Sequence, residues 1–369
     1  MGRGVSVSPV ITFLFNLIIL LATILSGCRK SPVGPVTPKD PRTYTWTIDT
    51  LAYPGSYQTM MESIWGSSAT DVYAVGHNDR GFGKMYRFDG KTWADVKLNP
   101  TQGGTVPGPI DLHCVYGFSS KDVWSVGERI YDNPNPPPNF LETQLIIHYD
   151  GVNWSEVHVD SGAILTRVWG AIPSDVWAGG MNGALYHFDG VSFKKVYFDP
   201  EMYFNSFWGF SPSDVYALCG KIVDYVQPED SSQYFLFHFD GNKWAPLDSF
   251  LVHPPYASGD KFGFSCLWGT SESALFSVSD AVFKEDGASW NQVLNTGSNF
   301  VSIFGSDANN VYAVGSQSQV FHFNGHDWYK FPQFNWFDHY CTGVWCTDKE
   351  VFIINIDDNG FKTFVFHGK

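Results

Sequence analysis

The stretch SIWGSSATDVYAVG at residues 63–76, followed after a short gap by MYRFDGKTWADV at 85–96, decides the fold. Each line holds two short runs in which apolar residues alternate with polar ones between turn residues, the mark of β-strands. Four strands result: A (SIWG), B (DVYAVG), C (MYRFDG) and D (WADV), with Asp89-Gly90 as a two-residue hairpin signal between C and D. The unit then returns. It reads CVYGFSSKDVWSVG with IIHYDGVNWSEV, RVWGAIPSDVWAGG with LYHFDGVSFKKV, and SFWGFSPSDVYALC with LFHFDGNKWAPL. CLWGTSESALFSVS with VFKEDGASWNQV and SIFGSDANNVYAVG with VFHFNGHDWYKF follow, and a seventh, GVWCTDKEVFIIN with TFVFHGK, stops before its last strand. The A-strand anchors are Trp65, Tyr116, Trp169, Trp208, Trp268, Phe304 and Trp345.

Four-strand repeats of about 47 residues are propeller blades. The missing D strand lies at the other end of the chain, where YTWTID (44–49) sets Trp46 at the position of Trp93 and Trp154. The expectation is an all-β, seven-bladed propeller of four-stranded blades, closed by the N-terminal strand completing the last blade. Closure of this kind leaves no open sheet edge.

The repeat resembles a family of secreted bacterial propeller repeats (WG, DVYAVG, HFDGxxW), and its C–D hairpin loosely resembles the Asp-box of sialidase-type propellers. It departs from that box in having Asp and Gly adjacent and no Ser or Thr before the Asp. The resemblance implies a fold and transfers no activity. At the N-terminus the apolar run Val10–Leu25 follows Arg3 and leads into Leu25-Ser26-Gly27-Cys28, which resembles the bacterial lipobox. That resemblance implies cleavage before Cys28, acylation of Cys28, and anchoring in a lipid bilayer of the bacterial cell envelope. With Arg rather than Asp at position 29, the outer membrane is the implied destination, on its periplasmic or outer surface. Prolines 32, 35, 38 and 41 then suit an extended spacer of about 3.1 Å per residue. The expected domains are thus a signal peptide at 1–27, the lipidated cysteine and spacer at 28–43, and the propeller at 44–369.

The chain is acidic, with 23 Lys and Arg against 37 Asp and Glu and a net charge of −14. Phosphate backbones are held by Lys and Arg, so nucleic acid is excluded as a partner. No phosphate loop, nucleophile motif or metal-ligand spacing appears, and neither cofactor nor metal is expected.

Residues recurring in every blade serve the scaffold; residues that break the repeat are where a site belongs. Thirteen of the 14 Trp stand in register and read as packing between blades. His148, His187, His238 and His322 occupy equivalent C-strand positions, too far apart around a ring to share a metal. Asp71, Asp122, Asp175 and Asp214 open B strands and are expected to cap turn N–H groups. Asp89, Asp150, Asp189, Asp240 and Asp286 belong to the C–D hairpins. The five remaining cysteines, Cys114, Cys219, Cys266, Cys341 and Cys346, have no paired spacing and read as buried thiols.

Long insertions fall only in B–C loops and D–A connections, which share one rim. They bring Tyr131, Tyr225 and Tyr256 there, together with FPQFNWFDHY (331–340). In that segment Trp336, the one Trp out of register, stands beside Phe337, Asp338, His339 and Tyr340. Aromatic faces beside polar tips are what a glycan-binding surface uses. Each A strand starts at the same rim. Three residues before each anchor stands a ring of Glu62, His113, Thr166, Asn205, Ser265, Val301 and Thr342, with Arg167 one step further along. Glu62, His113, Arg167 and Asn205 are the candidates for a pocket at the channel mouth. These observations favour a lipid-anchored, non-catalytic, monomeric body that binds a glycan or an envelope protein. The alternatives are a scaffold for a protein complex and a glycan-active hydrolase or lyase. The enzyme would draw two carboxylates from Glu62, Glu128, Glu142, Asp224 and Asp338.

Overall fold

The B strands are apolar without interruption because each is covered on both faces. Asp71–Asn78, Asp175–Gly180 and Asn310–Gly315 are buried at nearly every residue. The D strands Trp93–Asp95, Phe193–Lys195 and Trp328–Lys330 are short and half-exposed, as the outer edge of a blade requires. The computed structural model describes residues 1–2, 40–222, 231–252 and 261–369. Val10–Leu25, the Cys28 lipobox, most of the proline spacer, Tyr225 and Tyr256 lie outside the described residues.

The body, Asp40–Lys369, is a ring of seven four-stranded antiparallel sheets. In six of them the strands follow chain order. In the seventh, Trp46–Leu51 pairs with Lys362–Gly368, beside Val351–Asp357 and His339–Cys346. The expected closure by the N-terminal strand is therefore present, in the register Trp46↔Gly368 to Leu51↔Thr363. Pro41 opens a 3-10 turn, Pro41–Thr43, rather than extending the spacer. The Asp40 carboxylate accepts from Arg42 N, and Arg42 pairs with Asp327 at 2.8 Å, so this turn is fastened to blade 6.

The WG dipeptide of the repeat has a steric cause. A methyl group at Gly66, Gly117, Gly209 or Gly305 would lie 2.6–2.9 Å from the ring of Trp345, Trp65, Trp169 or Trp268, the anchor of the preceding blade. Each of these four tryptophans thus lays its far edge on the backbone of the next blade. Trp65, Tyr116, Trp169, Trp208 and Trp268 follow one another at 6.2–6.3 Å with planes turned by 44–49°. That angle is close to the about 51° of a seven-fold step. Phe304 breaks the series: it lies 6.1 Å from Trp268 and 6.2 Å from Trp208, two blades away, so its ring turns inward across the channel.

Two expectations about the turns need correction. The C–D hairpins are four-residue loops, not two-residue ones: Phe88 pairs with Trp93, and the Asp89 carboxylate accepts from Lys91 N and Thr92 N. Asp150, Asp189, Asp240 and Asp286 do the same, and Gly90 takes the left-handed φ of 92° that the loop demands. The B-strand aspartates are not turn caps. Asp122, Asp175 and Asp214 pair with His148, His187 and His238 at 2.7–2.9 Å, and Asp71 pairs with Arg87. The imidazoles of His148 and His187 also stack on Trp124 and Trp177 at 3.9 and 4.0 Å. This recurrent pair fastens strand B to strand C and confirms the scaffold reading of those histidines.

Candidate functional site

A bulge at one register of the A strands builds the channel mouth. In blades 1, 2, 3, 4, 6 and 7 the ladder steps over Glu62, His113, Thr166, Asn205, Val301 and Thr342. A bulge leaves its extra residue unpaired and re-aims its side chain. The result is a cavity of about 310 Å³ lined at its rim by Glu62, His113, Asn205, Ser265, Val301 and Thr342, with Arg167 and the anchor aromatics deeper in. Glu62, His113, Arg167 and Asn205 are brought together as expected. Thr166 is not among the lining residues, because its hydroxyl donates to Phe204 O at 3.0 Å and Arg167 enters in its place. Cys114 and Cys266 also line the wall and are only partly buried, unlike the other three thiols.

The charged residues of blades 1 and 2 form a chain. Glu62 Oε1 meets His77 Nδ1 at 2.8 Å and its Oε2 meets His113 Nδ1 at 2.8 Å, while His113 Nε2 reaches Glu128 Oε2 at 2.6 Å. Burial alone pushes the Glu62 carboxyl up, but hydrogen bonds from His113 and His77 overcome it and hold the group down at about 2. Burial likewise disfavours the His113 imidazolium, yet Glu128 and Glu62 raise it to about 10. At neutral pH His113 therefore donates from both nitrogens and has no lone pair with which to act as a base. Glu62 is ionised and has no proton to give. The pair is a charged strut between two blades rather than an acid–base couple. Sequence reasoning overlooked His77, although it is a repeat-breaking histidine at the mouth end of a B strand. Glu128 was read only as a spare carboxylate.

The other candidates lie apart from this cavity. Trp336 makes T-shaped contacts with His339, Phe364 and Phe366, with centroids at 4.9–6.3 Å, and is half-buried against blade 7. His339 Nδ1 is bonded to Asn355 Oδ1 at 2.8 Å, Tyr340 is half-buried, and Asp338 and Phe337 are exposed, the latter by 75%. Tyr131 stands on a long hairpin of blade 2, paired with Leu141. Tyr131, Phe140 and Leu141 there are 48%, 57% and 43% exposed. Among the described residues no group of three or more His, Cys, Asp or Glu is arranged to hold a metal ion.

Fold and cavity together define a seven-bladed propeller with a lined channel mouth. No family model and no curated protein matches the chain. Among solved structures it is similar to YCF48 bound to D1 peptide, with 13% identity and a TM-score of 0.59 over 89% of this chain and 97% of that one. YCF48 from Cyanidioschyzon merolae is similar at 14% identity and a TM-score of 0.55, over 87% and 98% of the two chains. The WD40 β-propeller domain of Doa1 is similar at 12% identity and a TM-score of 0.52, over 88% and 97%. At such identities the likeness is one of fold.

Proposed function

We propose that this protein is a non-catalytic binding propeller of the bacterial envelope, tethered to the outer membrane through acylated Cys28, whose loop-bearing rim engages a partner protein. The observation that carries the reading is the convergence of repeat-breaking residues on one end of the ring. Glu62, His113, Arg167 and Asn205 line a cavity there, and the blade 2 hairpin beside it exposes Tyr131, Phe140 and Leu141. Exposed aromatic and aliphatic side chains around a polar depression suit a protein interface. A glycan platform at Trp336 is disfavoured, since its ring is packed against Phe364 and Phe366. YCF48, similar in fold, has been solved with a D1 peptide bound.

The test is site-specific photo-crosslinking of the full chain in its native envelope, with the probe at Tyr131 and, as control, at exposed Val191 in a C–D turn of the opposite face. A discrete protein adduct from position 131 and none from 191 is expected. Absence of any adduct at 131, or retention on a polysaccharide that Trp336→Ala abolishes, overturns the reading. Separately, Cys28→Ala is expected to release the protein from the membrane fraction.

A further inference from the structure

Five arginines fall within the described residues, and four of them meet a carboxylate: Arg42 with Asp327, Arg80 with Asp79, Arg87 with Asp71 and Arg129 with Glu156. Arg167 meets none. Its Nε donates to Asn205 O and its Nη1 to Thr166 O, both backbone carbonyls, and Nη2 has no hydrogen-bond partner among the described residues. Those two bonds fix the guanidinium plane while leaving its charge uncompensated. In a chain with an acidic excess of 14, an arginine without a carboxylate is the exception.

The space around it is also made by the sequence. At the register of Arg167, two residues before the anchor, the other blades carry Ser63, Cys114, Ser206, Cys266, Ser302 and Gly343. All six are small, so one long cationic side chain enters a ring otherwise kept open. Beneath lie the anchor aromatics, with Phe304 turned across the channel. The other charged residues lining the cavity, Glu62 and His113, are bound to each other.

We propose that the cavity is a carboxylate-binding site in which Arg167 receives the acidic group of the ligand. The inference rests on the reading of this mouth as the binding end. Carboxylate fits better than phosphate: one planar fork with two donors already spent matches a planar monoanion. A dianion would need further cations and would lie near the ionised Glu62. The carboxylate belongs either to a small free acid or to an acidic side chain of the partner.

Trp65, Trp169, Trp208, Trp268 and Trp345 line the cavity, so intrinsic fluorescence of the full chain reports occupancy. It is titrated with propionate against propionamide, and with acetylated, amidated pentapeptide pools identical except for Glu or Gln at the centre. Saturable changes are expected for propionate, for the Glu pool, or for both. They should be at least about tenfold weaker for the matching amides and absent in Arg167→Gln. Propionate alone identifies a free acid, and the Glu pool alone identifies a partner's side chain. Because Arg167 also ties two strands, Ser302→Phe serves as a second variant, filling the cavity with Arg167 in place, and it must abolish the response as well. Equal response to acid and amide, no response to either carboxylate, or a response that survives both variants overturns the proposal. If the carboxylates fail while Tyr131 still crosslinks a protein, the binding function stands and only this inference falls.

Discussion

Cys346 occupies the place that a glycine holds after every other anchor, and Phe304 explains why it can. At Gly66, Gly117, Gly209 and Gly305 the Trp of the preceding blade lies where the glycine's Cβ would be. Phe304 is a smaller ring turned inward, and Cys346 is buried in the cluster it packs against. The two departures from the repeat therefore compensate one another. Phe304→Trp alone is expected to cost about 1–3 kcal/mol by overpacking, and Cys346→Gly alone about 1–2 kcal/mol through lost packing. Made together, they should cost at least about 1 kcal/mol less than their sum. Urea melts of the four proteins check this, and plain additivity would sink it. A second irregular pair is Asn310 with His322, at 3.0 Å, where blades 2–4 place an aspartate. Burial, with help from the charge of Arg42, lowers the His322 imidazole to about 4, and Asn310 offers no charge to oppose it. Asn310→Asp should raise that pKa by about two pH units, as read by NMR titration of the ring. An unchanged titration would show that burial alone governs the site.

The inner strands show most clearly which features were legible in the sequence. Their number, order and anchors could be read directly, because alternation and the WG dipeptide follow from burial and from the close approach of a neighbouring ring. The bulges at Glu62, His113 and Asn205 could not, since an extra residue in a ladder leaves no mark on composition. The same blindness took Asp122 for a turn cap rather than the partner of His148. Side-chain pairing across strands depends on register, and the repeat alone did not supply it. Among strands, the strut from Glu62 in blade 1 to His113 and Glu128 in blade 2 should dominate one pH dependence. His113 is raised from its ordinary value to about 10, so its contribution is full below about 6.5 and is lost as the pH rises through about 10. Glu62, held at about 2, contributes fully above about 4.5 and loses its share as the pH falls through about 2. His113→Gln is expected to cost about 3 kcal/mol near pH 6, a gap that narrows towards pH 10. Denaturant melts at both pH values test it, and a gap that stays constant would show that the strut is not charged.

On the scale of the whole molecule, the seventh blade is the one whose C–D hairpin is cut. Thr45 N donates to Lys369 O at 2.9 Å and Lys369 N to Thr45 O at 3.0 Å, so the two strands meet where the other blades have a continuous loop. The ring therefore cannot close until Lys362–Gly368 has been made, although its closing strand is the first of the propeller to emerge. Contacts between such distant parts of a chain form slowly and hold every blade in one cooperative unit. Deleting residues 40–51 would strip the outer strand from Lys362–Gly368, uncover Phe331 and Phe334 beneath Trp46, and open an edge. The shortened protein is expected to melt at least about 10 °C lower or to aggregate. What the ring requires is the strand rather than its position in the chain. A circular permutant that joins Lys369 to Tyr44 through Asn-Gly, with new termini between Gly103 and Gly104, should restore the parent melting temperature. Calorimetry of the three proteins decides the matter. A deletion that melts like the parent would mean that six complete blades hold the ring without closure. A permutant as weak as the deletion would mean that the early arrival of this strand, and not closure itself, is what folding requires.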